Sequence, residues 1–143
     1  MWQGDYKRWN PVPYLEGKIL YVEAVHDDWE GFRIWLSSEN TKLGIVSIVR
    51  FEIALLYINS DESYQLSGEP LDFPHTFWQV ENSALIKEFN RQSLQIYEDW
   101  EIKHFAFLSA SACIDVLSIQ EPTFENLLEK DDLTKESMIK ELI

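Results

Sequence analysis

The sequence predicts an α+β domain built on a mostly antiparallel sheet, with a central helix packed on the sheet and a second helix at the C-terminus. Three observations predict this class. Apolar and polar residues alternate in the first half of the chain, one central stretch repeats at helical spacing, and a second alternating pair follows it. We expect one domain over residues 1–143, which is long enough to bury its own core, with residues 1–16 and 125–143 as peripheral segments.

The first two elements are predicted to be the arms of a β-hairpin. KILYVEAVH is rich in β-branched and aromatic residues, and FRIWLSS alternates, with Phe32, Ile34 and Leu36 on one side. The intervening DDWEG contains turn-forming residues, and Gly31 is free to adopt a positive φ. This segment is therefore predicted to be the hairpin loop.

A third and a fourth strand are predicted to follow. LGIVSIVRFE alternates and is largely apolar, which indicates a buried strand. IALLYIN favours a further strand, although a short apolar run also fits a helical turn. The stretch NSDESYQLSGEPLDFPH has the composition of a loop, and order is expected to return at about Phe77.

The central helix is predicted over NSALIKEFNRQSLQIYEDW, with Asn82 or Ser83 as its N-cap. Its apolar positions at helical spacing are Leu85, Ile86, Phe89, Ile96, Tyr97 and Trp100. EIKHFAFLSASACIDVLSI then predicts two strands joined near Ala110 and Ser111, and Pro122 ends the pair. The tail TFENLLEKDDLTKESMIKELI is predicted to be helical and partly frayed.

The charge balance narrows the class of partner. With 25 acidic and 12 basic side chains, the formal net charge is -13, which argues against binding to nucleic-acid phosphates or to an anionic membrane surface. The natural complement is a cationic partner. The opening MWQGDYKRWN does not read as a secretory signal, and no apolar run is long enough for a membrane span, so a cytoplasmic protein is expected.

The segment HDDWE offers the first candidate site, because it places His26 beside Asp27, Asp28 and Glu30. A metal site needs several converging ligands, but neighbouring residues of an extended chain point to opposite faces. A solvated hairpin loop is the favoured interpretation. The nucleotide and zinc-protease motifs GxxxxGK[ST], GxGxxG and HExxH are absent, and we expect neither a metal nor another cofactor.

His104 and Asp115 form the second candidate site. If the arms 102–109 and 112–119 pair, these side chains share one face as near-diagonal neighbours and can form a hydrogen bond, with Cys113 on the same side. A structural pair is favoured, since no nucleophile elbow or oxyanion loop accompanies it. The alternative is a small hydrolase or metal-dependent enzyme that uses His104, Asp115 and Cys113.

Aromatic residues beside carboxylates supply the third candidate site. The chain has six tryptophans and six tyrosines, and amphipathic aromatics are enriched in protein interfaces. Trp2, Trp9, Tyr14 and Trp29 fall in segments that are expected to be loops or edges. Trp100 is either an interface anchor or part of the core.

The order of elements and the phrases YINSDES and IDVLSIQEP resemble the small immunity proteins of bacterial polymorphic-toxin and contact-dependent inhibition systems. The resemblance covers about residues 18 to 124. It implies a bacterial, non-catalytic α+β protein that binds and neutralises one cognate toxin, many such toxins being basic nucleases. The charge argument indicates the same type of partner independently.

The leading hypothesis is therefore an immunity or inhibitor protein with an acidic, aromatic-rich binding face. The contact segments would be DDWE, SDES and EDWE. The expected partner-binding residues are Asp27, Asp28, Trp29, Glu30, Asp61, Glu62, Glu98, Asp99 and Trp100. A third hypothesis is a structural or regulatory adaptor that associates through its C-terminal helix.

Overall fold

The computed structural model describes residues 1–61, 63 and 74–141, which form two antiparallel sheets and two α-helices. This confirms the predicted α+β class. The five-stranded sheet contains, in spatial order, β1 (Asp5–Arg8), β6 (Phe77–Glu81), β7 (Lys103–Leu108), β8 (Ala112–Ser118) and β5 (Leu56–Asp61). The four-stranded sheet contains β2 (Tyr21–Asp28), β3 (Gly31–Ser37), β4 (Ile45–Phe51) and β9 (Thr123–Asn126). The helices are α1 (Ala84–Gln92) and α2 (Asp132–Lys140).

The two sheets pack face to face, and their inner faces form the main core. Alternate residues of β3 and β4, such as Phe32 and Phe51, meet alternate residues of β7, such as Phe105 and Phe107. All four of these rings are buried. Aromatic rings in edge-to-face contact fill the space between two layers without leaving voids, and they account for much of the chain's aromatic content.

Each sheet also has a covered outer face. On the four-stranded sheet, Trp35 and Ile48 form a second apolar cluster against Met138 and Ile139 of α2. On the five-stranded sheet, Trp78, Val80 and Ala106 form a third cluster. Both faces of β3, β4 and β7 are therefore buried, so these strands are apolar along most of their length.

Within the described part of the chain no helix is long and apolar enough to cross a membrane.

The predicted hairpins and the fourth strand are present. β2 pairs with β3 and β7 pairs with β8. Gly31 has φ +100°, and a Cβ there would lie 2.8 Å from the carbonyl oxygen of Phe51. Glycine is therefore required on two grounds at the end of the hairpin loop. IALLYIN contributes β5, which starts at Leu56.

The central helix is shorter than predicted. It begins after Ser83, whose hydroxyl accepts a hydrogen bond from the Ile86 amide, but it ends at Gln92. Leu94 and Gln95 have φ values of 55° and 64°, so the backbone leaves the right-handed helical region there. Ile96 and Trp100, which fit the helical spacing, lie instead in a series of turns and are exposed.

Three short strands were not predicted. β1 and β9 are exposed edge strands with little apolar alternation, and β6 buries side chains on both faces. In the N-terminal segment, β1 joins the five-stranded sheet, and Val12 and Leu15 lie in the main core. In the C-terminal segment, Leu127 is buried, and Met138 and Ile139 of α2 pack on the four-stranded sheet.

Candidate functional site

The tip of the β2–β3 hairpin carries the most exposed aromatic side chain among the described residues. Trp29 is 92% exposed, and it lies between Asp28 and Glu30 in a tight turn. Asp27 precedes it and is also exposed. The turn is stabilised locally, because the carboxylate of Asp28 accepts a hydrogen bond from the Glu30 amide at 2.9 Å. The segment DDWE is thus an ordered hairpin loop that presents an indole and carboxylates to solvent.

Arg33 contacts two carboxylates of this loop and holds them in place. Its guanidinium donates two hydrogen bonds to Asp28, at 2.7 Å and 3.0 Å, and Nη1 lies 3.5 Å from Oε2 of Glu30. The hydrogen bonds from Arg33 and from the Glu30 amide lower the pKa of Asp28 from its ordinary 3.8 to about 2. The carboxylate of Asp28 is therefore occupied in stabilising the loop, whereas the carboxylates of Asp27 and Glu30 are more available to a partner.

The strand register brings a second predicted segment to the same end of the molecule. Phe32 pairs with Phe51, so the hairpin tip lies beside the end of β4. Leu56 pairs with Leu117, and Lys103 pairs with Ser118, so the starts of β5 and β7 and the end of β8 lie together. Two contacts join the sheets there: the rings of Phe32 and Tyr57 stack at 4.3 Å, and the Ser118 hydroxyl donates to the Ile53 carbonyl at 2.6 Å.

This end of the molecule, formed by residues 27–31, 51–57, 98–103 and 118–123, is called the acidic end below. Its exposed carboxylates belong to Asp27, Asp28, Glu30, Glu52, Glu98, Asp99, Glu101 and Glu121. The cations within these segments or paired beside them are Arg33, Arg50 and Lys103, and Lys103 lies 3.9 Å from Glu121. Negative charge therefore exceeds positive charge at this end.

The segment EDWE contributes Trp100, which is 49% exposed and packs edge-on against Tyr97. Its neighbours Glu98 and Asp99 are exposed. Ile53 and Tyr57 add exposed apolar surface to the acidic end, as do Leu94 and Ile96 in the turns that lead towards it. The sequence alone does not mark these residues as surface, because their apolar character is equally consistent with a core position.

The third predicted segment, SDES, does not join the other two. Asp61 is the last residue of β5 and pairs with Ala112, at the opposite end of the sandwich. Hydrogen bonds from Ser63 lower the pKa of its carboxyl group. Glu62 lies outside the described residues.

His104 and Asp115 are brought together as the alternation of the two strands predicts. Nε2 of His104 lies 2.7 Å from Oδ1 of Asp115, and both side chains are fully buried. Ser83 lies 2.7 Å from Nδ1 on the other side of the ring. With a proton on Nε2 the three contacts form a consistent chain of donors: the Ile86 amide donates to Ser83, Ser83 donates to Nδ1, and Nε2 donates to Asp115.

This network ties the first turn of α1 to the five-stranded sheet, because one serine hydroxyl both caps the helix and contacts the histidine. Sequence reasoning identified Ser83 as a cap but gave no sign of its second partner. Burial of all three side chains keeps them from a substrate in solution. The geometry therefore favours the structural interpretation of the pair over the hydrolase alternative.

Cys113 and Tyr6 border this network. Cys113 is buried and is the chain's single cysteine. Burial raises the pKa of the Tyr6 hydroxyl well above its ordinary value, with smaller contributions from the nearby Asp115 and Cys113. The same hydroxyl donates a hydrogen bond to the Trp2 carbonyl at 3.0 Å. A neutral phenol beside a buried thiol is consistent with a packed interior.

The remaining metal and interface candidates are placed as follows. His26 lies opposite Arg33 on β2, and His75 bonds to the Trp9 carbonyl at 2.9 Å. Across the described residues no group of three or more His, Cys, Asp and Glu side chains is arranged to hold a metal ion. Trp9 and Tyr14 are half-buried: Trp9 packs on Phe105 of the main core, and the Tyr14 hydroxyl lies 3.2 Å from the Ser47 hydroxyl.

Comparison of the chain with protein-family models, with curated proteins and with solved structures finds no match.

Proposed function

We propose that this chain is a non-catalytic immunity or inhibitor protein that binds a basic protein toxin, such as a nuclease, through the acidic end. It would act in the cytoplasm of a bacterium, where it would cover the toxin's active site or a surface that the toxin needs. The observation that carries the proposal is the hairpin tip, where a 92% exposed tryptophan is surrounded by carboxylates.

An exposed indole of this kind is suited to anchoring a partner. Tryptophan is enriched among the residues that dominate binding energy, since it buries a large area and loses little conformational entropy. Here the hairpin is rigidly supported, because Arg33 holds the turn through Asp28 and Phe32 stacks on Tyr57 below it. A preorganised anchor loses less entropy on binding than a mobile one.

The surrounding charge supports a cationic partner. The formal net charge is -13, and the acidic end concentrates carboxylates around Trp29 and Trp100. Opposite potentials accelerate encounter and disfavour acidic competitors. The segments DDWE and EDWE would make the contact together, while Asp61 at the opposite end would not take part in it.

The experiment begins with the partner, isolated from the source organism on the immobilised chain, eluted with salt and identified. Its affinity is then measured for wild type and for variants of the tip. Trp29→Ala should weaken binding by roughly 2 kcal/mol or more, as for other central aromatic anchors. Asp27→Asn with Glu30→Gln should reduce affinity and flatten its dependence on salt. Asp28 is left intact because its substitution would also release Arg33.

Two control variants match these changes at other places. Leu133→Ala removes a 78% exposed apolar side chain from α2, and Glu129→Gln with Glu136→Gln removes the same charge as the acidic double variant. Both controls should bind as wild type. The proposal fails if the tip variants and the controls have equal affinity and equal salt dependence.

A further inference from the structure

The loop after α1, residues 93–100 and called the cap loop below, starts with a backbone geometry that glycine normally provides. The Gln95 amide donates to the Asn90 carbonyl at 2.9 Å, and the Leu94 amide donates to the Arg91 carbonyl at 3.3 Å. These two bonds define a Schellman motif, in which the residue after the helix cap adopts a left-handed conformation and is usually glycine. Here that residue is Leu94, with φ 55°.

Leu94 differs from most of the other left-handed residues. Among the described residues, the non-glycine positions with positive φ outside the cap loop are Asn40 and Asn82. Asparagine tolerates this region because its short polar side chain forms local hydrogen bonds, which leucine cannot do. The Leu94 side chain is also 84% exposed, so folding gains little from it. Backbone strain that the fold itself does not require is characteristic of functional sites.

The cap loop is ordered by its own contacts. Tyr97 packs on Phe89 of α1 with the ring centroids 5.5 Å apart, and Trp100 packs edge-on against Tyr97 at 5.0 Å. The Trp100 amide donates to the Tyr97 carbonyl at 2.9 Å. Leu94 and Ile96, which is 69% exposed, are therefore presented to solvent from a defined backbone. A preorganised apolar surface loses little entropy when a partner covers it.

The charge of the cap loop indicates what covers these side chains. Glu98 and Asp99 are exposed, and no cation of the described residues lies within ion-pair distance of them. Arg91 and Lys103 flank the loop in the sequence, but each pairs with another carboxylate. A second copy of the chain, with its net charge of -13, would be repelled, and so would an anionic lipid surface. The complementary occupant is a cationic protein.

We propose that the cap loop contacts an apolar pocket of the cationic partner through Leu94 and Ile96, and that basic side chains at the rim of that pocket meet Glu98 and Asp99. The inference rests on the proposed function, because the loop leads directly into the EDWE segment of the acidic end. It adds a property of the partner that charge alone does not specify, namely an apolar pocket beside the basic surface. The strain at Leu94 is then offset by burial of its side chain in the complex.

Two glycine variants separate the side chain from the backbone. Leu94→Gly removes both the strain and the apolar side chain, whereas Gln95→Gly relieves the neighbouring left-handed residue, φ 64°, and leaves Leu94 in place. Both should raise the urea concentration at the midpoint of unfolding. Leu94→Gly should weaken binding of the partner isolated on the immobilised wild-type chain by roughly tenfold or more. Gln95→Gly should bind as the wild type does.

A second pair of variants tests apolar contact without a change of backbone strain. Ile96→Ala should weaken binding by roughly threefold to tenfold. Leu133→Ala, which removes a 78% exposed apolar side chain from α2, should leave the affinity unchanged. Equal affinities of these two variants would contradict a contact at Ile96 and overturn the proposal.

The remaining outcomes separate this inference from the proposed function. Unchanged affinity in Leu94→Gly, together with weaker binding of Trp29→Ala, would overturn the inference and leave the proposed function intact. If neither variant weakens binding, or if the immobilised chain retains no basic protein, both fail. Equal losses in Leu94→Gly and Gln95→Gly would attribute the effect to backbone flexibility and overturn the inference. A loss of both stability and affinity in Leu94→Gly, or a wild-type dimer that this variant dissociates, would also overturn it.

Discussion

At the scale of single residues, Asp28 and Arg33 show how a chain with excess negative charge builds a rigid acidic loop. The side chain of Arg33 is only 5% exposed, and the carboxylate of Asp28 neutralises it through two parallel hydrogen bonds. One acidic residue therefore has a structural role, while its neighbours face solvent. Sequence spacing predicted the hairpin loop, but it could not separate these roles, which depend on cross-strand position.

The pH dependence of this pair follows from the lowered pKa of Asp28. Its folded-state value of about 2 lies below the ordinary 3.8, so the pair's contribution to stability is complete above pH 3.8 and is lost as the pH falls towards 2. Carboxyl ¹³C NMR should locate this titration near 2. Arg33→Met should return it towards the ordinary value, whereas Arg50→Met, which removes the neighbouring cross-strand cation, should change it much less. An unchanged titration in Arg33→Met would contradict the account.

The buried network of Ser83, His104 and Asp115 marks how far alternation can be used to predict a site. The two strands each alternate, and this alone places His104 and Asp115 on one face. The approach of Ser83 depends on how α1 docks on the sheet, and no local pattern encodes that. Sequence reasoning therefore found two of the three members.

We expect the network to behave as a unit in unfolding experiments. His104→Phe should lower the free energy of unfolding by about 3 kcal/mol, because the buried carboxylate of Asp115 loses its hydrogen bond to Nε2 of His104. The double variant His104→Phe with Asp115→Leu should lose less than the sum of the two single variants, since it removes the buried carboxylate together with the histidine that contacts it. Urea denaturation measures all four proteins of this cycle. Additive losses would show that the two side chains are not coupled.

At the scale of elements, the end of α1 shows a local conformation that overrides a helical pattern. Apolar residues continue at helical spacing to Trp100, yet the helix ends at Gln92 and the next residues turn through the left-handed region. The amide and the hydroxyl of Ser93 both donate to the Phe89 carbonyl, at 2.9 Å and 2.7 Å, which closes the last turn of the helix. Short edge strands escaped prediction for a related reason, since pairing with a neighbour defines them more than their own composition does.

The left-handed position of Leu94 provides a test of this helix end. Its φ of 55° is unfavourable for a residue with a side chain, and that side chain is 84% exposed, so packing offsets little of the backbone strain. Leu94→Gly should raise the free energy of unfolding by about 0.5–1 kcal/mol. Leu133→Gly, at an exposed position within α2, should lower it. Thermal or urea denaturation gives both values, and a loss of stability in Leu94→Gly would mean that the turn is not strained.

At the scale of the whole molecule, the packing of the two sheets determines which acidic segments lie at the same end. The sequence predicted the class of fold and the hairpin that carries DDWE, but it placed EDWE in the central helix, whereas the structure has turns there. Which strands pair, and that two sheets face each other, depend on long-range contacts such as that of Phe32 with Tyr57. These contacts place DDWE and EDWE at one end of the molecule and Asp61 at the other. The proposed interface is therefore the acidic end and excludes Asp61.

Amide hydrogen exchange of the chain, free and bound to its isolated partner, shows directly whether the partner binds at the acidic end. If the partner binds there, amide exchange should slow in residues 27–31 and 98–103. Exchange rates in α2 and at the opposite end of the sandwich should not change. Protection confined to α2, to residues 38–44 or to the end of β5 would contradict it.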